Sequence, residues 1–343
     1  MQTMRPGIYT SYTVIPRYPK KQGKAIGIAA KSGKIVQTVQ KVTSLDQAKT
    51  LFGPMTSQNE LLYLLQAAFW CGVPTVYAVS VIADTASEHQ KAIGKLIQQK
   101  DIYLICANQK AGTTYLKNQV QQQEQAGREL LIVTAENTVD SSIQLANQLN
   151  HKRILVSYPA IVSEESSTNL SAIILASLIS VSQELNNNLN GTSIEQIFQI
   201  EQTILEEDIN RLLQNGVAVF EQIGGHVELI RGVTTQTIGE DGQPDYTYRD
   251  LSVVLILDIV LYELRQLLLE RMKRVYNDNA SLNSIASLLA CKLDELEQSG
   301  YLSTYELPRI YRKSDDSTAC VADVSFTIRQ GISQIYLTAQ ITI

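Results

Sequence analysis

The glycines near the start of the chain are the first residues that could do chemistry, because a glycine-rich loop followed by a lysine can hold phosphate. Five residues separate Gly27 from Gly33, whereas a phosphate-binding loop needs a shorter spacing, and Ile35 stands where Ser or Thr would bind magnesium. Strand-like runs at 25–30 and 34–39 flank the second glycine. We therefore interpret this segment as a turn between two strands.

A second group of glycines lies in the last third of the chain. Gly224, Gly225 and Gly232 do not have the spacing of a dinucleotide-binding loop, and strand-like segments surround them. Two adjacent glycines between strands are typical of a tight hairpin turn. We predict a β-hairpin here and no nucleotide site.

Residues that could bind a metal or act as nucleophiles are scattered. The histidines at 89, 151 and 226 form no HxxxH or HExxH pattern, and the four cysteines form no CxxC pair. A GxSxG sequence is absent, and paired acids such as Glu206 and Glu207 fall on helical patterns, where they are typical of solvated faces. We therefore predict no catalytic, cofactor-binding or metal-binding residue, and we expect the protein not to be an enzyme.

The charge is distributed unevenly along the chain. Residues 1–45 contain eight Lys or Arg and no Asp or Glu, which gives this segment a charge of +8. Because the net charge of the whole chain is −5, the remaining residues sum to −13. A basic segment could bind nucleic acid, with Tyr9, Tyr12 and Tyr18 stacking on bases. It could also dock on the acidic body of a neighbouring copy, which is the reading that we favour.

Targeting and membrane signals are weak. The apolar stretches at 172–181 and 251–257 are too short to span a bilayer, and Asp258 ends the second one. Polar residues and prolines interrupt the start of the chain, where a signal peptide would need a continuous apolar core. Scattered cysteines agree with a reducing cytosol. We expect no membrane insertion.

The middle of the chain alternates between strand-like and helical patterns. Strands are predicted at 102–107, 130–134 and 154–157, and helices at 114–126, 139–150 and 168–185. This succession is typical of βαβ units and a mostly parallel sheet. One alternative function is therefore a cytosolic α/β enzyme with a site at the carboxyl ends of these strands, although neither a glycine-rich turn nor a catalytic cluster is found there.

A long apolar helix dominates the C-terminal third. Asp250 is placed to cap it. Its main apolar stripe is predicted to comprise Val254, Leu257, Leu261, Leu264, Leu268, Met272 and Val275, and a second stripe beside it to comprise Val253, Ile256, Val260 and Leu267. Further on, apolar and polar residues alternate at 321–329, which predicts one half-buried strand.

Both ends of the chain have the pattern of extended arms. The candidate interface residues are Ile8, Tyr9, Tyr12 and Val14 in the first arm and Ile335, Leu337, Ala339, Ile341 and Ile343 in the last. Terminal strands without obvious partners in their own chain are suited to pair with a neighbouring subunit and to build an open filament. We therefore expect this protein to bind other copies of itself.

Ordered motifs in the last third resemble the tail sheath family of contractile phage tails and phage-like bacteriocins. They lie at 212–217, 223–227, 230–235, 246–250 and 301–308, followed by the closing strands. Together they cover roughly residues 205–343, and the segments 5–9, 42–45 and 51–53 are also similar to sheath sequences.

The resemblance implies a mixed α+β and α/β fold in four parts. These are an N-terminal arm at 1–20, which packs with the C-terminal domain or with a neighbouring subunit, an outer α/β domain with a mostly parallel sheet at 21–200, an α+β sheath core at 201–333 and a C-terminal strand arm at 334–343. It further implies a structural subunit, without a cofactor, that polymerises helically around an inner tail tube and contracts to drive that tube through a bacterial envelope.

The same resemblance implies partners, a location and hinges. The partners are other copies of the chain, the tube protein, and baseplate and tail terminator proteins. The location is the bacterial cytoplasm during assembly and then the tail sheath of a virion or phage-tail-like particle. Contraction requires hinges beside the arms, for which Pro16, Pro19, Gly23 and Gly331 are the candidates.

Overall fold

A computed structural model describes residues 24–182, 189–194, 198–200, 202–272, 276–316 and 318–331. Its strands are β1 (Ala25–Ala30), β2 (Gln40–Val42), β3 (Val76–Ser80), β4 (Ile102–Cys106), β5 (Leu131–Ala135), β6 (Ile154–Tyr158), β7 (Ile161–Ser163), β8 (Thr192–Ile194), β9 (Phe198–Ile200), β10 (Val217–Ile223), β11 (His226–Arg231), β12 (Leu302–Tyr305), β13 (Arg309–Arg312), β14 (Cys320–Asp323) and β15 (Phe326–Ile328). Its helices are α1 (Leu45–Phe52), α2 (Glu60–Trp70), α3 (Ala86–Ile97), α4 (Thr113–Gln125), α5 (Val139–Leu149), α6 (Ser171–Val181), α7 (Glu206–Gln214), α8 (Leu251–Met272) and α9 (Asn279–Gln298).

A nine-stranded sheet forms the centre of the fold, in the order β2-β3-β1-β4-β5-β6-β10-β11-β8. The six strands from β3 to β10 are parallel to their neighbours, and β2, β11 and β8 add antiparallel edges. The predicted mixed fold with a mostly parallel sheet is confirmed. Strands β10 and β11 come from beyond residue 200, so this sheet draws on both sides of the domain boundary expected there.

Two helical layers cover the sheet. Helices α2 and α6 pack on one face with Phe52, Phe220 and the start of α8, and helices α3, α4, α5 and α7 pack on the other. Strands covered on both faces are apolar at nearly every position, and β3 and β6 are buried along their whole length. Within the described ranges, no helix is both long enough and apolar enough to cross a bilayer.

Local sequence signals place several elements correctly. The Ser44 hydroxyl accepts a hydrogen bond from the Gln47 amide and caps α1, which is the usual role of a serine before a helix. Gly224 and Gly225 have φ of 58° and 88° and form the predicted turn between β10 and β11. The predicted strand at 34–39 is wrong: the Ser80 hydroxyl and the Phe52 carbonyl take the local amides, and the strand forms at Gln40–Val42 instead.

Helix α8 begins where expected, but Asp250 does not serve as a simple cap. Its carboxylate accepts hydrogen bonds from the Arg231 guanidinium at 2.8 and 3.0 Å, since the chain segment before α8 runs beside β11. The Leu251 amide, in turn, donates to the Gly232 carbonyl. An ion pair between two elements has replaced the local cap.

Candidate assembly surface

Helices α8 and α9 and the last four strands form a small unit with its own apolar cluster. Leu282, Ile285, Leu289, Leu293 and Leu296 repeat at three- and four-residue intervals along α9 and form its buried stripe. The Asp278 carboxylate caps this helix by accepting from the Ser281 amide at 2.7 Å. These backbone hydrogen bonds lower the pKa of Asp278.

The buried side chains of α8 come from both predicted stripes. Val254 and Leu264 of the main stripe and Val253, Ile256 and Val260 of the second are at most 7% exposed, whereas Met272 of the main stripe is 73% exposed. Val275, the last residue of the predicted main stripe, lies outside the described residues. The reason is that α8 packs on the main sheet through its first turns and on α9 through its later turns, so the contact face is set by two partners. Tyr262 and Leu269 are also half-exposed or more, so apolar surface remains open on α8.

The last four strands form one interrupted hairpin on these helices. Strand β12 pairs only with β15, and β13 only with β14, within the part of the chain that the structure describes. The single strand predicted at 321–329 is therefore two short strands, because pairing breaks between Asp323 and Phe326 and the register of β12 with β15 shifts. One side of the hairpin packs on the helices through the side chains of Leu302, Ile310, Ala322 and Phe326.

A two-stranded sheet leaves a row of backbone amides and carbonyls unpaired along each outer edge. Such edges readily accept another strand. The Leu307 and Tyr311 side chains beside them are 76% and 49% exposed. Other strand edges exist among the described residues, at β2, β8 and the β7–β9 pair, but we take this hairpin, with exposed apolar side chains beside it, as the candidate surface for an added strand.

The nine predicted arm residues, Ile8, Tyr9, Tyr12, Val14, Ile335, Leu337, Ala339, Ile341 and Ile343, lie outside the described residues. The same holds for the hinge candidates Pro16, Pro19 and Gly23. Gly331 is described, and it follows β15 outside any helix or strand.

A buried polar cluster ties α8 to the main sheet, and sequence reasoning missed it. The Asp258 carboxylate accepts two hydrogen bonds from the Arg153 guanidinium, at 2.7 and 2.9 Å, and one from the Tyr103 hydroxyl at 2.6 Å. Both charged side chains are only 3% exposed. The one available signal was the carboxylate of Asp258 within the apolar first turns of α8, because a carboxylate is costly to bury unless it is paired.

The surroundings of this cluster shift several pKa values. Burial raises the pKa of Tyr103, and the nearby Asp258 charge raises it further. Burial lowers the pKa of Lys24 to about 8, with Asp258 opposing the shift. His151 lies two residues before Arg153 in the chain. Burial lowers the pKa of His151 to about 4, although the Glu124 charge acts in the opposite direction.

Another charged group lies where an α/β enzyme would carry its site, at the carboxyl ends of the strands β1, β3 and β4. The Asp84 carboxylate lies 3.6 Å from the Lys31 ammonium and 3.0 Å from the His89 imidazole, and it also pairs with Lys110. Hydrogen bonds from Lys110 and His89 lower the pKa of Asp84 to about 2. The Asp84 carboxylate is paired with all three side chains, whereas the buried His89 Nδ1 makes no hydrogen bond within the described part of the chain. The described residues contain no group of three or more suited to a metal ion.

Solved structures of contractile systems share this fold over the whole chain. A chain of the anti-feeding prophage (AFP) baseplate is 14% identical with a TM-score of 0.73, and the match covers 100% of both chains. The PVC sheath complex of an extracellular contractile injection system, in the contracted state, is 15% identical with a TM-score of 0.72 and coverage of 99% and 98%. The AFP helical sheath in the contracted state is 13% identical with a TM-score of 0.72 and coverage of 99% of each chain.

At these identities the likeness establishes the fold, and the chain therefore has the fold of contractile sheath proteins. The resemblance seen in the sequence motifs is confirmed at this level. No family model matches the sequence, and neither does any curated protein.

Proposed function

We propose that this chain is a structural subunit of a contractile sheath, which polymerises helically around an inner tube and contracts to drive that tube through a bacterial envelope. The observation that carries the proposal is the full-length match to a chain of an assembled baseplate and to the chains of two contracted sheaths. A structural and non-catalytic role fits this match. No observation favours the alternatives of an α/β enzyme or a basic-armed nucleic-acid binder.

The open hairpin gives the proposal a physical means of assembly. Residues 8–14 and 335–343 alternate apolar and polar side chains, and each would add a strand to the β12–β15 or β13–β14 edge of a neighbour. Ordering about ten residues costs ~10 to 20 kcal/mol, and burying five apolar side chains returns ~8 to 15 kcal/mol, to which ladder hydrogen bonds add about 1 kcal/mol each. One arm alone is near break-even, so assembly should be cooperative.

The remaining assignments rest on the same proposal. The partners are the inner tube protein and the baseplate and terminator proteins, and the place of assembly is the bacterial cytoplasm before incorporation into a tail-like particle. Pro16, Pro19, Gly23 and Gly331 act as the hinges at the arms. The division into an arm at 1–20, an outer domain at 21–200, a core at 201–333 and an arm at 334–343 remains part of the proposal.

Electron microscopy of truncated chains tests the arms. Deleting residues 1–19 or 334–343 should leave a soluble, folded protein that forms no tubes under conditions in which the full chain, supplied with a nucleating tube and baseplate, is expected to form them. Tubes of normal length from either truncated chain would refute the role of that arm.

A finer version of the test uses the two faces of the last strand. Changing Ile335, Leu337 and Ile341 to Asp should abolish tubes, because these residues lie on the apolar face. The matched control changes Tyr336, Thr338 and Gln340 to Asp on the polar face, with the same added charge. Equal loss of assembly in both variants would mean that charge alone, and not a buried strand face, disrupts the tube.

A further inference from the structure

The first described residue of the chain touches the polar cluster on α8. The Lys24 ammonium lies 3.8 Å from the centre of the Tyr103 ring, and the hydroxyl of that same ring donates to the Asp258 carboxylate at 2.6 Å. The Lys24 carbonyl also accepts a hydrogen bond from the Ser180 hydroxyl on α6. Lys24 is therefore held through both its side chain and its main chain.

The chemistry of this arrangement makes its members depend on one another. A cation over an aromatic ring draws electron density from it, which makes the Tyr103 hydroxyl a better donor to a carboxylate. Asp258 in turn is a buried anion whose charge attracts the Lys24 ammonium. Arg153 holds the Asp258 carboxylate in place with two hydrogen bonds. Loss of any one contact weakens the others.

We propose that Lys24, Tyr103, Asp258 and Arg153 form a latch that couples the root of the N-terminal segment to helix α8. Residues 1–23 precede Lys24 directly, so a partner that moves this segment also moves the ammonium in the latch. Helix α8 responds because Asp258 lies on its buried side, between the turns that pack on the sheet and the turns that pack on α9. A change in the position of residues 1–23 thus changes the contacts that hold α8 and, through α8, the C-terminal unit.

Coupling of this kind must act in both directions. Weakening the contact at α8 should free the segment root, and removing Lys24 should loosen α8. The use of the latch in a tube rests on the proposed function, whereas the coupling itself is a property of the unassembled chain. A test on the soluble protein therefore separates failure of the latch from failure of the sheath assignment.

The first arm of the test measures the segment root by trypsin digestion. Tyr103→Phe keeps the ring and removes the hydrogen bond to Asp258, and it should raise the rate of cleavage after Lys24 by about tenfold relative to cleavage after Lys20 and Lys21. Tyr77→Phe is the matched control, because the Tyr77 hydroxyl makes a comparable hydrogen bond to Asp101 at 3.0 Å, but Tyr77 packs in the cluster on the opposite face of the sheet from Tyr103. The control should leave that ratio unchanged.

The second arm measures α8 by amide hydrogen exchange. Lys24→Met should raise the exchange rates of residues 254–262 by about fivefold or more, because an apolar side chain no longer supports the Tyr103 and Asp258 contact. Lys41→Met is the control and should not change them. The latch is supported when both arms respond and both controls do not. It is overturned if either variant behaves like its control while circular dichroism shows a native fold.

Discussion

The buried pair of Arg153 and Asp258 allows a sharp prediction about which partner matters more for stability. Removing one member of a buried ion pair costs about 3 to 5 kcal/mol, because it leaves the other charge without compensation. The two removals are not equivalent here. Asp258→Asn leaves Arg153 with only the partly exposed Glu124, 3.6 Å from its Nε, and removes the anion that attracts Lys24. Arg153→Met leaves an anion that keeps the hydrogen bond from the Tyr103 hydroxyl and the attraction of the Lys24 ammonium.

We expect Asp258→Asn to lower the free energy of unfolding by about 4 kcal/mol and Arg153→Met by about 2 to 3 kcal/mol. Tyr103→Phe, which removes one hydrogen bond to a charged group, should cost about 1.5 to 3 kcal/mol. Urea titration measures these values, with Trp70 fluorescence reporting the main core and far-ultraviolet circular dichroism reporting the helices. Trp70 suits the purpose because it is the single tryptophan and packs against Phe198.

A double-mutant cycle tests the reason for the inequality. In a Lys24→Met background, the Asp258 anion left by Arg153→Met loses its remaining cation, so the two costs should become equal within about 0.5 kcal/mol. If Arg153→Met costs as much as Asp258→Asn with Lys24 in place, or if the background does not alter their difference, then Lys24 does not compensate the Asp258 charge and the reasoning fails.

Three further predictions concern acid stability, backbone strain and assembly rate. Because the pKa of His151 is about 4 in the fold and about 6.5 when unfolded, the unfolded chain binds the proton first, so stability should fall by up to about 2 kcal/mol from pH 7 to pH 5, and His151→Gln should flatten this slope in urea titrations. Gly216→Ala should cost about 3 kcal/mol or more in thermal unfolding, since φ is 75° and a Cβ atom would lie 2.6 Å from the Thr234 carbonyl oxygen, while Gly72→Ala, with φ of 83° and open space, should cost about 1 kcal/mol. Changing Arg17, Lys20 and Lys21 to Glu should slow tube formation at low salt. If light scattering shows equal rates for the variant and the original chain at all salt concentrations, these charges do not contribute to assembly.

The sheet was predictable because its strands carry their own signal. Runs such as Ile102–Cys106 and Ile154–Tyr158 are apolar at nearly every position, as expected for strands covered on both faces. Helix α3, in contrast, was missed, although its buried residues His89, Ala92, Ile93, Leu96 and Ile97 recur with the period of a helix. Polar residues fill its first turn, and Gly94 in its interior is a poor helix former, so composition weakened the signal.

The candidate site was predictable in part. Alternation at 321–329 indicated strands near the C terminus, but the break at Asp323 and the pairing of β12 with β15 depend on how the hairpin lies on α8 and α9. The partner of Asp258 could not be read from the sequence, because Arg153 lies 105 residues away and the chain offers many other cations. Local patterns predict elements, whereas pairing of buried charges depends on tertiary packing.

Helix α8 limits where a sheath built from this chain can bend. Besides the pair of Asp258 with Arg153, α8 binds the sheet side through Arg265, whose guanidinium pairs with Glu129 and donates to the Gly127 carbonyl at 2.9 Å. Sliding the C-terminal unit across the sheet would break both ion pairs, one of them buried, at a cost of several kcal/mol. Rotation about a glycine or a proline-flanked segment breaks none of these contacts. If the chain contracts as proposed, its body should therefore move as one piece, with the change of angle concentrated at the arms.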